Sequence, residues 1–138
     1  MNHVVFVYGT LKRDFGNHRI LARATFLGNG KTGQPFELVR LWGFPGMIRV
    51  RGDRTGTAVR GEVYAVDDRT LADLDHLESN GALYQRAQTP IILESGGTLT
   101  AWAYLYLGDT TTKPAIGDTW QHHVTDRERV QHHNSNGG

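Results

Sequence analysis

Residues 84–107 read YQRAQTPIILESGGTLTAWAYLYL, and the fold turns on how this stretch divides. Glu94-Ser95-Gly96-Gly97 is turn chemistry between two runs rich in β-branched and aromatic residues, so Tyr84–Leu93 and Leu99–Leu107 are predicted to pair as a long hairpin. Side chains alternate along a strand. Trp102, Tyr104 and Tyr106 therefore share one face, and Ala101, Ala103, Leu105 and Leu107 the other.

Working outward, Val4-Val5-Phe6-Val7-Tyr8 is an apolar run without polar alternation that ends at Gly9, the pattern of a strand buried on both faces. Further strands are predicted at Ala24–Leu27, Glu37–Leu41, Met47–Val50 and Gly61–Val66, with turns at Gly28–Gly33, Gly43–Gly46 and Gly52–Gly56. Asn17 offers an N-cap for a short helix or turn reaching Ala22. The clearest helix starts at Asp67, carries Leu71, Leu74 and Leu77, and stops near Glu78, before Asn80-Gly81. About seven short strands and few helices favour a closed or nearly closed barrel with helical insertions over an alternating βαβ sheet.

The totals suit one domain: 138 residues is enough for a single core. Fifteen Lys+Arg against fourteen Asp+Glu, a formal charge of +1, argue against a nucleic-acid or anionic-membrane partner and for a small ligand. The absence of cysteine removes disulfides, Cys-based zinc sites and a thiol nucleophile together. Neither a signal segment nor an apolar run of about 20 residues is present, so a cytoplasmic location is expected. The ordered domain is expected over residues 1–120. Residues 121–138, which include His132-His133, lack hydrophobic periodicity and are expected to form a flexible tail.

Chemistry is suggested first by the helix. At about 100° per residue, Leu71, Leu74 and Leu77 mark its core side, and Glu78 projects between the directions of Leu71 and Leu74. A carboxyl group on an apolar stripe becomes a proton shuttle if burial raises its pKa; the alternative is a frayed end that reaches water or pairs with Arg86. Asp73 lies on the opposite side and Asp75 near the margin. The second feature is Tyr8-Gly9-Thr10-Leu11, where a buried strand ends in glycine. Its backbone N–H groups either cradle a carboxylate or oxyanion or form an ordinary turn. Gly43-Phe44-Pro45-Gly46 reads as a rigid aromatic-and-proline wall or a tight loop. Tyr84 and Arg86 are placed to orient a substrate carboxylate or hold Glu78, with core packing and a surface ion pair as the competing roles. The histidine pairs have no acidic ligand cluster beside them, so no metal site is expected. No Gly-x-Ser-x-Gly elbow is present either.

Taken together, these segments resemble the γ-glutamylcyclotransferase-like (AIG2-like) family, and within it the γ-glutamylamine cyclotransferase branch. The matching stretches are Phe6-Val7-Tyr8-Gly9-Thr10-Leu11-Lys12-Arg13, Asn17-His18-Arg19, Gly61-Glu62-Val63-Tyr64-Ala65-Val66-Asp67, Leu74-Asp75-His76-Leu77-Glu78 and Ala82-Leu83-Tyr84-Gln85-Arg86. In order and spacing they span roughly residues 4–108. The resemblance implies an α+β fold, a small mixed β-barrel with short flanking helices and a cavity at its mouth. It implies one glutamate, matched here by Glu78, as general acid/base, and Tyr8, Gly9, Thr10 and Leu11 as the substrate-holding loop, with Tyr84 and Arg86 bordering the pocket. The expected reaction closes 5-oxoproline from a small γ-glutamyl amide and needs no cofactor. The segment Asp14-Phe15-Gly16 departs from the family pattern where the pocket rim should lie. A binding module of the same fold that holds a carboxylate without chemistry is the alternative; an anion or nucleotide binder using the Gly9 turn is a weaker one.

Overall fold

A computed structural model of the chain describes residues 2–9, 18–41 and 44–118. The predicted hairpin is its spine: strands β6 (Tyr84–Leu93) and β7 (Thr98–Tyr106) pair antiparallel from Tyr84↔Tyr106 to Ile92↔Thr98. The other strands are β1 (His3–Val7), β2 (Thr25–Thr32), β3 (Glu37–Arg40), β4 (Pro45–Ile48) and β5 (Arg60–Val66). The helix is α1 (Asp68–Leu77), and His18–Leu21 makes one 3-10 turn. The order β1-β5-β2-β6-β7 is closed by parallel pairing of β1 with β7, giving a five-stranded mixed barrel. The β3–β4 hairpin attaches to β7 through β4.

Two cores follow from strand alternation. Phe6, Tyr8, Leu38, Met47, Val63, Ile91, Ala101 and Ala103 fill the first, on the enclosed side of the strands. The alanines fit: a five-stranded barrel leaves little room inside, and small residues opposite large ones fill it. Val5, Val7, Tyr64, Val66, Tyr84 and Tyr104 form the second core with Leu71 and Leu74 of α1. Strand β1 thus buries both faces, as its unbroken apolar run predicts. Asp67 caps α1 by accepting from the Thr70 N–H at 2.7 Å.

Two predicted turns are not turns. Strand β2 runs straight through Gly28–Gly33 as far as Thr32, with a bulge between Phe26 and Gly28. Glycine here permits close approach rather than reversal: a Cβ on Gly30 would stand 2.9 Å from the Ile92 carbonyl oxygen and from Ile91 Cγ2. In the Gly43–Gly46 stretch, Pro45 and Gly46 already belong to β4, Pro45 taking the first strand position that lacks the need for an N–H. Asn17, Gly43 and residues 121–138, for which the sequence predicts a cap, a turn and a tail, lie outside the described residues.

A third feature lies away from the helix. Glu37, buried on β3, accepts from Arg51 through the backbone N–H at 2.7 Å and through Nε and a terminal nitrogen at 3.1 and 3.0 Å, and from Arg54 at 3.1 Å. The guanidinium of Arg51 also donates to the Thr110 and Lys113 carbonyls. These bonds hold the Glu37 carboxyl down at about 2 and clasp three chain segments together.

Candidate active site

Strand β7 shares one edge between two partners. Val5 of β1 sits opposite Trp102, and three residues on, Met47 of β4 sits opposite Leu105. The strand β1 therefore leaves the sheet where β4 enters, and Tyr8-Gly9 lies in the fork. The Tyr8 hydroxyl bridges it, donating to the Tyr104 carbonyl at 2.6 Å and accepting from the Met47 N–H at 3.0 Å. Gly9 is pressed against β4: a Cβ there would stand 2.9 Å from Pro45 Cγ, a distance that only glycine avoids.

Glu78 approaches the fork from α1. It is the C-cap residue, its N–H bonded to the Leu74 carbonyl at 2.9 Å. The helix then ends in a Schellman turn, with Ser79 N–H on His76 O at 3.2 Å and Asn80 N–H on Asp75 O at 2.9 Å. That turn needs a left-handed residue, and Ser79 supplies it with φ 50°. The helix thus stops near Glu78 as predicted, but the left-handed residue that closes it is Ser79, just before Asn80-Gly81, at a cost of about 1–2 kcal/mol that the surrounding bonds must offset.

The Glu78 carboxyl is half-buried, and burial alone pushes it up to about 7. Three phenols lie close enough that its negative charge opposes their ionisation: Tyr8, Tyr84 and Tyr104, each held protonated chiefly by its own burial. None spends its proton on Glu78. Tyr8 donates to Tyr104 O, Tyr84 to Pro45 O at 2.7 Å, and Tyr104 to the Asp75 carboxylate at 2.6 Å. With these three hydroxyls committed to other acceptors, the carboxyl can exchange a proton with a ligand near neutral pH.

Of the residues singled out in the sequence, Tyr8, Gly9, Tyr84 and Glu78 converge here; Thr10 and Leu11 lie outside the described residues. Arg86 goes elsewhere. It grips Asp75 with Nε and a terminal nitrogen at 3.0 and 3.2 Å and stacks 4.3 Å above the Trp102 ring, so the suggested Glu78–Arg86 pair does not form. Asp75 and Tyr104 were not singled out as site residues. The spacing Asp75-x-x-Glu78 puts both acids on neighbouring turns of one helix face, which was the available signal. Among the described residues, no group of three or more His, Asp or Glu side chains could hold a metal ion.

Comparison with known proteins places this geometry. The family model described as gamma-glutamyl cyclotransferase, AIG2-like, matches residues 5–122. A putative gamma-glutamylcyclotransferase of Vibrio cholerae is 41% identical over 108 residues, covering 77% of this chain and 84% of that protein. The human gamma-glutamylaminecyclotransferase is 47% identical over 90 residues, 60% of this chain and 58% of that protein. Among solved structures, an AIG2-like protein from Mus musculus superposes with a TM-score of 0.75 at 30% identity, covering 86% of this chain and 88% of its own. A family-model match over residues 5–122, a relative 41% identical along most of its length and a shared barrel lead to one assignment: this chain belongs to the γ-glutamyl cyclotransferase, AIG2-like family.

Proposed function

We propose that the chain is a cyclotransferase that cuts γ-glutamyl amides, with Glu78 as the general acid/base. The observation that carries this reading is the Glu78 carboxyl itself: raised to about 7 by burial and ringed by phenols whose protons are already engaged. The substrate's α-amine is held against its own γ-carbonyl. Glu78, as the carboxylate, takes a proton from that amine, and the nitrogen attacks the γ-carbon to close a five-membered ring. The tetrahedral intermediate collapses as the protonated Glu78 returns the proton to the departing nitrogen. The products are 5-oxoproline and a free amine, and water is not consumed.

Most of the acceleration comes from holding nucleophile and carbonyl together, for which effective molarities reach about 10⁵–10⁸ M. Proton transfer through Glu78 adds about 10²–10⁴-fold. Since the ionised carboxylate starts the reaction, kcat/KM should rise with pH through about 7. In this reading the substrate carboxylate is taken by backbone N–H groups of the loop Tyr8-Gly9-Thr10-Leu11. Tyr84 borders the site through its ring, and the Arg86 charge is already paired with Asp75.

The test is mass spectrometry across γ-glutamyl-ε-lysine, γ-glutamyl α-amino acids and simple γ-glutamyl amines, with wild type beside Glu78→Gln. Wild type should release 5-oxoproline from at least one class, and the variant should lose that release. Unchanged turnover in Glu78→Gln, or free glutamate as the product, would overturn the mechanism. Substrate-induced thermal stabilisation with no product from any class would leave a carboxylate-binding module in its place.

A further inference from the structure

Glu78 stands in the middle of a closed unit whose members the proton-transfer step does not use. Asp75, one turn earlier on α1, receives three donors on its carboxylate: Arg86 Nε and a terminal nitrogen at 3.0 and 3.2 Å, and the Tyr104 hydroxyl at 2.6 Å. Its backbone carbonyl accepts the Asn80 N–H that closes the helix at Glu78. The Asn80 side chain in turn accepts the Arg86 backbone N–H at 2.8 Å. The turn from 75 to 86 is therefore tied at Asp75, Asn80 and Arg86, with Glu78 between the ties, and Trp102 supports the Arg86 guanidinium from beneath.

We propose that Asp75 and Arg86 form a charge-balanced positioning pair for Glu78: together they fix the turn that carries its carboxyl, and each cancels the other's field at that carboxyl. This rests on the reading of Glu78 as proton carrier. Two lines support it. The geometry gives the turn few alternatives, because loosening Asp75 releases a side-chain tie to β6, another to β7 and the anchor against which the strained Ser79 is held. The electrostatics gives the pairing a reason. Asp75 precedes Glu78 by three residues at the end of α1, so the two are neighbours on the helix surface, and Arg86 sits on the Asp75 carboxylate. An unbalanced guanidinium there would keep Glu78 ionised and spoil it as an acid; an unbalanced Asp75 would keep it protonated and spoil it as a base. Tyr8 from β1, Tyr84 from β6 and Tyr104 from β7, all neutral phenols, feel the Glu78 charge, and the Asp75–Arg86 pair brings full charges onto the adjacent helix turn.

The experiment is a double-variant cycle of Asp75→Asn, Arg86→Gln and the two combined. Two quantities are read: pH profiles of kcat and kcat/KM on the best γ-glutamyl amide, and titration of the Glu78 side-chain carboxyl carbon by ¹³C NMR without substrate. Asp75→Asn should move the Glu78 midpoint to lower pH and Arg86→Gln to higher pH, each by about half a pH unit or more, and the double variant should return it near wild type. In each single variant kcat should fall about tenfold or more with KM within about twofold, since misplacement acts on the reacting geometry rather than on binding. Tyr104→Phe removes only the hydroxyl donor to Asp75 and should give a smaller loss of the same kind, which covers the case in which Asp75→Asn does not fold. Midpoints that stay put, or move in the same direction in both single variants, overturn the inference. Turnover that persists in Glu78→Gln overturns the functional reading instead, and the NMR titration still decides the charge balance.

Discussion

Glu78→Gln should make the protein more stable, and more so as pH rises. A carboxyl raised from its ordinary 4.5 to about 7 in the folded state binds its proton more tightly there than in the unfolded chain. Between those two values the folded state holds more protons than the unfolded one, so the stability associated with Glu78 is fully present below about 4.5 and lost as pH rises through 7. The full gap corresponds to an upper limit of about 3 kcal/mol; a half-buried group keeps part of its hydration, so about 1–2 kcal/mol is the working figure. Glutamine has the same shape and no charge to desolvate. Thermal unfolding by circular dichroism should therefore show nearly equal midpoints for wild type and Glu78→Gln at pH 4.5, and the variant higher by about 3–8 °C at pH 8. A difference that is the same at both pH values would refute the reasoning, because it would mean that the substitution acts through packing and not through the buried ionisation.

Other outcomes follow from neighbouring contacts. Glu37→Ala should cost about 3–5 kcal/mol in urea unfolding, since it strands the Arg51 guanidinium. For wild type, the stability due to Glu37 is present above its ordinary 4.5 and should fade as pH falls towards 2, visible as a steep loss of melting temperature below pH 4. Ser79→Gly should relieve the left-handed strain and raise the urea midpoint, a gain of up to about 1 kcal/mol after glycine's own entropy cost. Asp67→Ala should lose the helix cap for about 1 kcal/mol while leaving the pH profile of turnover where it was, measured in the same unfolding and rate assays.

What the sequence made legible was local. The β6–β7 hairpin shows in two β-branched and aromatic runs about a glycine turn, the second of them alternating, and α1 shows in its cap and leucine spacing, because both depend on residues close together in the chain. Glu78 stood out for the same reason: an acid on a leucine stripe is visible within one helix. Only the start of β2 showed, as the predicted strand Ala24–Leu27; its second half did not, since its glycines carry no side-chain pattern and serve an approach to β6 that only the folded sheet reveals. The fork was hidden too. It depends on two parallel pairings, Val5 with Trp102 and Met47 with Leu105, between strands far apart in sequence. Arg86 was noticed, but its partner was decided by the reversal at Ser79, which carries Arg86 back alongside Asp75; no periodicity encodes such a reversal.

The shared edge of β7 also divides the labour of change within this fold. Strands β5, β2, β6 and β7 make a continuous wall of paired ladders, whereas β4 joins that wall at one bridge and through the Tyr8 and Tyr84 hydroxyls. Substitutions in the β3–β4 hairpin can thus be absorbed without unzipping the wall, provided that the Pro45 carbonyl and the Met47 N–H keep their places for Tyr84 and Tyr8. The proposed proton carrier on α1 and the hairpin that props its phenol neighbours thus belong to separate pieces of chain, joined by two hydroxyls.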